Sequence, residues 1–352
     1  MPEYPGDSLR EWANYYLEMA VTGIRSEAVT HKIRFHLARF QAFFEEQYGQ
    51  ENISSLVKRD VVAWREHLRS AGLAASTINN HMASLSGFAT WVQAQDASAF
   101  VMGDPTKGIG DLPLPLLEPR ALDEDQVRSL KNLCDRLFPF YRLKNRGWLQ
   151  SDREAPLQAR ARPWRDRAMV FVLLSTGLRR EELVRLNLSQ LSPIGADDLR
   201  QARRGQINGV VGKGKTQRDV FLSLDARLAL ADYFENEHAG DVTTDDAEDT
   251  PVFLSAIEAT PRRADGRLSP RSVNHILAKI GKWHDAGIKD EARHISPLRP
   301  HDLRHTFAFQ LAKVTGTDSY ELECRLGHQS QRYIQRYTNP PEDVAALYIE
   351  YF

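Results

Sequence analysis

The sequence predicts a mainly α-helical protein with one small β-hairpin, arranged as two domains that a linker joins. Three observations support this fold class. Apolar residues among positions 1–96 recur every three or four residues, as in helices that bury one face. Residues 97–120 are rich in glycine and proline, which is typical of a linker. Residues 207–222 place β-branched residues on both sides of a Gly-Lys-Gly-Lys turn, which indicates a hairpin.

The first domain, residues 1–96, is expected to contain four helices, at residues 8–23, 26–48, 58–70 and 77–93. In the fourth helix, Ile78 and Leu85 are expected to face the core, since they lie two turns apart on one stripe. The polar face of the same helix is predicted to consist of Thr77, Asn79, Asn80, His81 and Ser84.

The second domain, residues 121–352, is predicted to start with a helix near Asp123, because acidic residues suit the positive end of a helix. Further helices are expected over residues 164–175, from Pro270 to about residue 285, and from Pro300 onwards, and a short strand at residues 252–254. The acidic segment 235–250 is expected to be an exposed loop, and the Arg-rich segment 139–163 to be irregular.

Composition places the chain among ordinary globular proteins and excludes several classes. Of its 352 residues, 42% are hydrophobic and 26% are charged, and the net charge is −1. Two cysteines, Cys134 and Cys324, are too few for a disulfide framework and fit a reducing cytosol. No signal peptide precedes the first helix, and no apolar run has the length of a membrane span. We therefore expect a cytoplasmic protein with no membrane partner.

Charge is unevenly distributed along the chain. Residues 142–218 contain 17 Lys/Arg and seven Asp/Glu, whereas residues 235–249 contain seven Asp/Glu and no Lys/Arg. A local phosphate-binding surface requires such a distribution, whereas the overall charge gives it no support. A solvated basic face would give the same counts, so both interpretations stay open at this point.

Four short motifs carry the chemistry. They are Gly177-Leu178-Arg179, His301-Asp302-Leu303-Arg304, Leu326-Gly327-His328, and Tyr337 nine residues after His328. Guanidinium groups match the geometry of phosphate oxygens, so Arg179 and Arg304 suit a bound phosphate. A tyrosine hydroxyl can attack phosphorus and form a covalent intermediate, which divides one difficult displacement into two easier ones. The motifs therefore predict transfer of a phosphoryl group to tyrosine.

The spacing of these motifs constrains the site. His301, Arg304 and His305 lie at i, i+3 and i+4, so one helical face carries all three. Nine residues on one helix would put His328 and Tyr337 on opposite faces. A shared site therefore requires the chain to turn between His328 and Tyr337, and His305 is expected to be structural.

This ordered set resembles the motifs of the tyrosine recombinase (phage integrase) family, and the resemblance extends over about residues 10 to 345. It implies that the first domain is a helical core-binding domain with a SAM-like fold, which clamps DNA, and that the second is the catalytic domain. The polar face of the fourth helix would then approach the duplex. Two-domain Xer-like or transposon-type integrases are the subgroup that the chain resembles.

The resemblance also implies a role for each motif residue. Tyr337 would be the nucleophile, with Tyr333 as its rival one helical turn earlier. Lys213 would protonate the leaving 5′ oxygen, with Lys215 as the alternative, and Glu182 would orient an arginine. The implied catalytic set is Arg179, Lys213, His301, Arg304, His328 and Tyr337. The implied DNA-binding set is Thr77, Asn79, Asn80, His81, Ser84 and Lys215.

The implied function is site-specific recombination of double-stranded DNA through a 3′-phosphotyrosyl intermediate, by a homo-tetramer associated with the nucleoid. Accessory DNA-bending or element-encoded proteins are possible partners. No cofactor and no metal are expected, because the phosphotyrosyl bond conserves the energy of the broken bond and the acidic residues lack metal-ligand spacing. Little sequence precedes the first domain, so we expect no arm-binding domain and a transposon or plasmid element in preference to a lambda-like phage.

Several alternatives stay open from the sequence. One is a type IB topoisomerase-like enzyme that nicks and closes DNA, and another is a catalytically decayed relative that only binds it. Segment 139–163 is either disordered or a loop that faces DNA. A helix over residues 344–351 packs either on its own domain or on a neighbouring protomer.

Overall fold

The structure is a computed structural model that describes residues 4–114, 120–146, 161–212, 216–243, 250–316 and 318–327, without the side chains of 142–146 and 319–321. The chain divides into two compact units, an N-terminal unit up to Leu117 and a C-terminal unit from Glu118. Helices predominate, and the described strands form a three-stranded sheet in the C-terminal unit. The predicted fold class, mainly helical with a small hairpin-based sheet, is confirmed.

The N-terminal unit is built from four helices around an aromatic core. The helices are α1 Leu9–Tyr16, α2 Glu27–Tyr48, α3 Lys58–Ser70 and α4 Ala75–Gln95. A π-helical turn, Leu17–Val21, extends α1, and Gly49 ends α2 in the left-handed conformation with φ 62°. Trp12, Phe40, Trp64 and Phe88 are among its fully buried side chains.

The first part of the segment expected to be a linker is packed on this core. Phe100 is 2% exposed among the core residues of the N-terminal unit. The Asn79 side chain donates from Nδ2 to the Leu112 carbonyl at 2.9 Å and accepts from the Leu112 amide at 2.9 Å. Residues 97–112 are therefore a folded part of the unit, because they bury an aromatic ring and pair their backbone with α4.

The prediction that His81 lies on the exposed polar face of α4 is wrong. Its side chain is 3% exposed and stacks on His36, with 3.9 Å between the ring centroids. The Trp64 ring meets it edge-on at 5.9 Å. His81 follows Ile78 by three residues, so it shares the stripe that faces the core. The prediction followed the polarity of the side chain and overlooked its position on the core-facing stripe of the helix.

We expect burial of His81 to make the N-terminal unit acid-sensitive. Burial, His36, Arg39 and Lys32 lower the pKa of His81 to about 4. The unfolded chain then binds a proton between about pH 6.5 and 4 that the folded chain does not, so stability falls as the pH falls through this window. From pH 7 to 5 the expected loss is about 1–2 kcal/mol, discounted for screening.

Scanning calorimetry of the full chain at pH 7 and pH 5 measures this effect. His81→Phe is expected to weaken the pH dependence and to cost little at pH 7, because it also removes a buried Nδ1 that has no hydrogen-bond partner. His31→Phe, at an exposed position of α2, is the control and should keep the wild-type slope. An unchanged slope in His81→Phe would contradict the assignment.

The C-terminal unit contains ten described α-helices and three described strands. The helices are α5 Glu124–Cys134, α6 Leu137–Arg146, α7 Pro163–Thr176, α8 Arg180–Val184, α9 Ala196–Gln201, α10 Leu224–Tyr233, α11 Ala239–Asp241, α12 Pro270–Asp285, α13 Pro300–Val314 and α14 Ser319–Leu326. The strands are β1 Leu191–Ser192, β2 Gly205–Val211 and β3 Gln217–Leu222. Helix α7 is central and packs against α5, α6, α10, α13 and β3. Most of its residues are buried, so it forms the centre of the core of the unit.

The predicted hairpin is present as β2 and β3, which pair antiparallel from Gly205 opposite Leu222 to Val211 opposite Gln217. The register shifts at a bulge near Gly209, whose φ is 60° and whose amide donates to Asp219 Oδ1 at 2.8 Å. Strand β1 adds to the free edge of β2. The turn residues 213–215 lie outside the described residues.

Three local expectations differ from the structure. Residues 252–254 form no strand, because the pairing at Pro251 and at Leu254 consists of isolated bridges. Residues 235–241, expected in an exposed loop, are helical, and Asp241 is fully buried. The Asp241 carboxylate accepts from Arg162 Nε at 2.6 Å and from its Nη2 at 2.7 Å, so a bidentate ion pair holds this segment inside. Within segment 139–163, residues up to Arg146 continue helix α6.

Candidate active site

The Arg179 motif begins where the central helix α7 ends. Gly177 is the C-cap of α7, with φ 60°, and its amide donates to the Leu173 carbonyl at 3.0 Å. Two residues on, the Arg179 amide donates to Glu182 Oε2 at 2.8 Å, which caps the start of α8. The left-handed glycine thus reverses the chain and brings Arg179 to the end of the buried helix.

Arg304 lies on the first turns of α13. The Arg299 amide donates to Asp302 Oδ2 at 2.9 Å and so fixes the start of this helix. Arg304 is only 3% exposed. It donates from Nη1 to the Gly177 carbonyl and from Nη2 to the Leu326 carbonyl, both at 2.6 Å. Arg304 of the second motif therefore connects the first motif directly to the third.

Three guanidinium groups contact three consecutive carbonyls at the end of α14. Arg218 Nε donates to the Arg325 carbonyl at 3.0 Å, Arg304 Nη2 to Leu326, and Arg179 Nη2 to the Gly327 carbonyl at 3.4 Å. The carbonyls at a helix C-terminus carry partial negative charge, which favours cations there. We call this arrangement the carbonyl clamp, and His328 is the next residue after it.

Glu182 connects two arginines of the carbonyl clamp from the other side. Its carboxylate accepts from Arg179 Nη1 at 2.8 Å and from Arg218 at 3.1 Å and 2.6 Å. Burial alone would raise the pKa of Glu182, but hydrogen bonds and charges from Arg218 and Arg179 outweigh it and lower the pKa to about 2. Glu182 is thus ionised at any physiological pH and holds both guanidinium groups in place.

The two histidines of the second motif lie beside Arg304 on α13. His301 is exposed, and its ring centroid is 6.3 Å from that of His305. Partial burial, together with the charges of Arg304, Arg179 and Arg180, lowers the pKa of His301. The lowered pKa favours the neutral imidazole, in which one ring nitrogen can accept a proton.

Lys213, Lys215, His328 and Tyr337, together with the rival Tyr333, lie outside the described residues. Their flanking residues are described. The Gly212 amide donates to the Thr216 carbonyl at 2.7 Å and closes the turn that contains both lysines. A Cβ added at Gly212 would lie 3.5 Å from Glu182 Oε1. Gly212, the last described residue before the turn, therefore lies close to Glu182, and Gly327, the last described residue before His328, contacts Arg179 in the carbonyl clamp.

The predicted DNA-binding residues on α4 are not equivalent in the structure. Thr77 and Asn80 are exposed, and Asn80 Oδ1 accepts from Lys32 Nζ at 2.8 Å. The Asn79 side chain is hydrogen-bonded to the Leu112 backbone, and Ser84 Oγ is hydrogen-bonded to His36 Nδ1 at 2.8 Å. Thr77 and Asn80 therefore form the exposed part of this face.

Arg218 is a site residue that was not predicted from the sequence. Its side chain is 9% exposed, and it contacts Glu182 and the Arg325 carbonyl. The sequence pattern could have indicated its inward position, because Arg218, Val220 and Leu222 are two residues apart and so share one face of β3, the buried one. A charged side chain on such a face requires a partner.

No group of three or more His, Cys, Asp or Glu side chains among the described residues has the arrangement of a metal site. No helix in the described part of the chain combines the length and apolar character that crossing a membrane requires.

Several known proteins are similar to this chain. Tyrosine recombinase XerC of Yersinia pestis is 27% identical over 300 residues, covering 84% of this chain and 78% of the relative. XerC of Proteus mirabilis is 28% identical over 269 residues, covering 76% and 69%. Among solved structures, the Tn1549 transposon integrase in complex with a circular intermediate DNA has a TM-score of 0.67 at 17% identity, covering 98% of this chain and 99% of that one.

A second solved structure, the XerH site-specific recombinase bound to palindromic difH substrate, has a TM-score of 0.63 at 17% identity, covering 94% of this chain and 81% of that one. These structural likenesses support the fold. Two family descriptions match the sequence itself. Residues 15–96 match the phage integrase N-terminal SAM-like domain, and residues 149–343 match the phage integrase family. Since the second match spans more than half of the 352 residues, the chain belongs to the phage integrase family.

Proposed function

We propose that this chain is a site-specific DNA recombinase that breaks and rejoins double-stranded DNA through a 3′-phosphotyrosyl intermediate. The carbonyl clamp is the observation that carries this proposal. It brings Arg179 and Arg304, which are 125 positions apart in the sequence, to one helix end that leads into His328. Guanidinium groups match the geometry of phosphate oxygens, so two of them held at one helix end suit a single phosphate.

The chemistry follows from the residue types. The Tyr337 oxygen attacks the scissile phosphorus, the bond from phosphorus to the 5′ oxygen breaks, and a 3′-phosphotyrosyl ester forms. A free tyrosine has a pKa of about 10 and is only about 0.1% ionised at pH 7, so the site must assist loss of its proton. His301 accepts a proton or a hydrogen bond, and Lys213 gives a proton to the leaving 5′ oxygen.

Arg179, Arg304 and His328 stabilise the charge that develops on the phosphate oxygens. Preorganised donors of this kind are worth about 10²–10³ in rate each. Attack of the 5′ hydroxyl of a second strand on the phosphotyrosyl ester reverses the step and releases Tyr337. The bond energy is conserved throughout, so the reaction needs no nucleotide cofactor.

We also propose a role for each domain and a set of partners for the chain. The N-terminal unit, which comprises residues 1–96 and the packed segment 97–112, binds one side of the duplex, the rest of the segment 97–120 connects, and residues 121–352 cut and rejoin. The chain acts as a homo-tetramer on two duplexes, in the cytoplasm at the nucleoid, and serves a mobile element. Similarity in fold to the Tn1549 transposon integrase supports the last point.

A covalent trap tests the proposal. The full chain is incubated with a library of nicked duplexes, in which the short 5′ fragment diffuses away after cleavage, and then denatured in SDS. Wild type is expected to give a protein–DNA adduct, and Tyr337→Phe to lose it because it lacks the attacking oxygen. Tyr333→Phe is the matched control and should keep the adduct.

Two results would count against the proposal. An adduct that persists in Tyr337→Phe and disappears in Tyr333→Phe would show that Tyr333 is the nucleophile. Wild type that binds the duplexes without forming any adduct would indicate a protein that only binds DNA.

A further inference from the structure

The end of the predicted linker is bound to the segment from which helix α13 starts. Arg120 donates from Nη1 to the Pro297 carbonyl at 3.1 Å and from Nη2 to the Ser296 carbonyl at 3.2 Å. These two carbonyls precede the first residue of α13 by only a few positions. We call residues 120–122 the strap, because they contact the chain both before α13 and within it.

The contact of the strap within α13 is buried. The Leu122 amide donates to Thr306 Oγ1 at 2.9 Å, and the two residues are 6% and 1% exposed. A threonine hydroxyl has one hydrogen, and Thr306 donates it to the Asp302 carbonyl at 2.8 Å. Its lone pairs therefore accept from the Leu122 amide. The Leu122 side chain belongs to the hydrophobic core of the C-terminal unit, so the strap is anchored in that core.

The strap and the carbonyl clamp hold different faces of α13. Arg304 and Thr306 are two residues apart, which corresponds to a rotation of about 200° around the helix. Arg304 binds the Gly177 and Leu326 carbonyls on one face, and Thr306 binds the strap on the other. Contacts on opposite faces fix the rotation of a helix and its position along its axis. The strap thus helps to set where the Arg304 guanidinium lies.

We infer that Thr306 is a positioning residue, which binds the strap and so holds α13 in the place from which Arg304 acts on the scissile phosphate. The inference rests on the proposed function and extends it. Without the Thr306 hydroxyl, the buried Leu122 amide loses its acceptor, and because an unpaired buried donor is costly, the strap and the helix shift apart. A shift of about 1 Å in such a group can slow a reaction about 10²-fold.

Thr306→Val and Thr306→Ser separate the hydroxyl from the shape of the side chain. Valine keeps the volume and loses the acceptor, whereas serine keeps the acceptor and loses a methyl group. The probe is the nicked duplex that the covalent trap recovers, with protein in excess. Thr306→Val is expected to form adduct about 10–10²-fold more slowly than wild type, and Thr306→Ser within about threefold of wild type.

Binding of the same duplex provides a second readout. Its dissociation constant should change by less than about threefold in both variants, because much of the binding energy comes from contacts with backbone phosphates along the duplex. A loss in the rate of adduct formation without a loss in affinity is expected of a residue that positions a reacting group, and not of one that only supports the fold.

A substrate with an uncharged scissile group shows whether the defect acts through Arg304. In a methylphosphonate, a methyl group replaces one non-bridging oxygen. The tyrosine oxygen still attacks phosphorus, the bond to the 5′ oxygen breaks, and that oxygen takes up a proton, which gives a tyrosyl methylphosphonate ester and a 5′ hydroxyl. The negative charge that a guanidinium group neutralises is absent, so Thr306→Val should come within about threefold of wild type on this substrate.

Thr315→Val is the matched control. The Thr315 hydroxyl also donates to the carbonyl four residues earlier, that of Leu311 at 2.8 Å, but Thr315 caps the other end of α13. This variant should match wild type on both substrates. Thermal unfolding shows which variants are folded at the assay temperature. If Thr306→Val is unfolded, Arg120→Ala, which removes the exposed contacts of the strap, should show the same pattern with a smaller defect.

Three results would overturn the inference and leave the proposed function intact. The first is a folded Thr306→Val, or Arg120→Ala in its place, that is as fast as wild type on the ordinary duplex. The second is a variant that is equally slow on both substrates, and the third is Thr306→Ser as slow as Thr306→Val. Wild type that forms no adduct with any nicked duplex would overturn the proposed function as well.

Discussion

Gly177→Ala is expected to lower the free energy of unfolding by about 3 kcal/mol and to abolish adduct formation. Gly177 has a φ of 60°, where a Cβ costs roughly 1–2 kcal/mol. An added Cβ would also lie 2.4 Å from Cδ1 of Phe307, which no contact between carbon atoms tolerates. Phe307 follows Arg304 by one helical turn, so relief of the clash displaces the residue that binds the Gly177 carbonyl.

A matched control and a rescue separate the two contributions to this effect. Gly49 ends α2 with a φ of 62° and has open space around it, so Gly49→Ala should show only the backbone cost, about 1–2 kcal/mol. Adding Phe307→Ala to Gly177→Ala should recover part of the adduct. Calorimetry of the full chain measures stability, and the covalent trap measures activity. Equal losses for Gly177→Ala and Gly49→Ala would show that the Phe307 contact is unimportant.

Glu182→Gln is expected to have the second largest effect. The buried carboxylate accepts four hydrogen bonds, from the Arg179 amide and from the guanidinium groups of Arg179 and Arg218. An amide in its place turns an –NH₂ group towards these donors and leaves two cations without their counter-ion. Breaking a buried ion pair typically costs about 3–5 kcal/mol, and misplacing Arg179 should slow adduct formation about 10²-fold.

The pH dependence provides an independent check on Glu182. Its folded pKa of about 2 lies below the value in the unfolded chain, so its stabilisation is present above about pH 4.5 and is lost as the pH falls through 2. Wild type and Glu182→Gln should therefore differ by a constant amount between pH 5 and 8. Glu181→Gln, at the exposed neighbour paired with Arg180, should change stability by less than about 1 kcal/mol. A comparable loss in Glu181→Gln would contradict a special role for Glu182.

Amphipathic elements were predictable from the sequence, whereas small or fully buried ones were not. Helix α12 was predicted from Ser269 and Pro270, and the Ser269 hydroxyl indeed accepts from the Ser272 amide at 3.0 Å. Helix α10 was missed because it is rich in alanine and leucine and buried on most sides, which removes the periodic signal. Strand β1 is two residues long and has no sequence pattern of its own.

The candidate site was predictable where chemistry and motif agreed, as for Arg179 and Arg304. It was not predictable where a residue's position decided its role. His81 looked like a polar surface residue but lies on the core stripe of α4, and Arg218 looked like an ordinary hairpin residue but faces inwards. In both cases the side chain's register on its helix or strand outweighs its polarity.

The carbonyl clamp also has a consequence for how substitutions combine. Arg218, Arg304 and Arg179 each contact a different peptide group of one rigid helix end, so a displacement of that end by an ångström alters all three contacts together. Their contributions are consequently not separable, and losing a second arginine should cost far less than losing the first. A shift of residues 325–327 therefore acts on all three guanidinium groups at once.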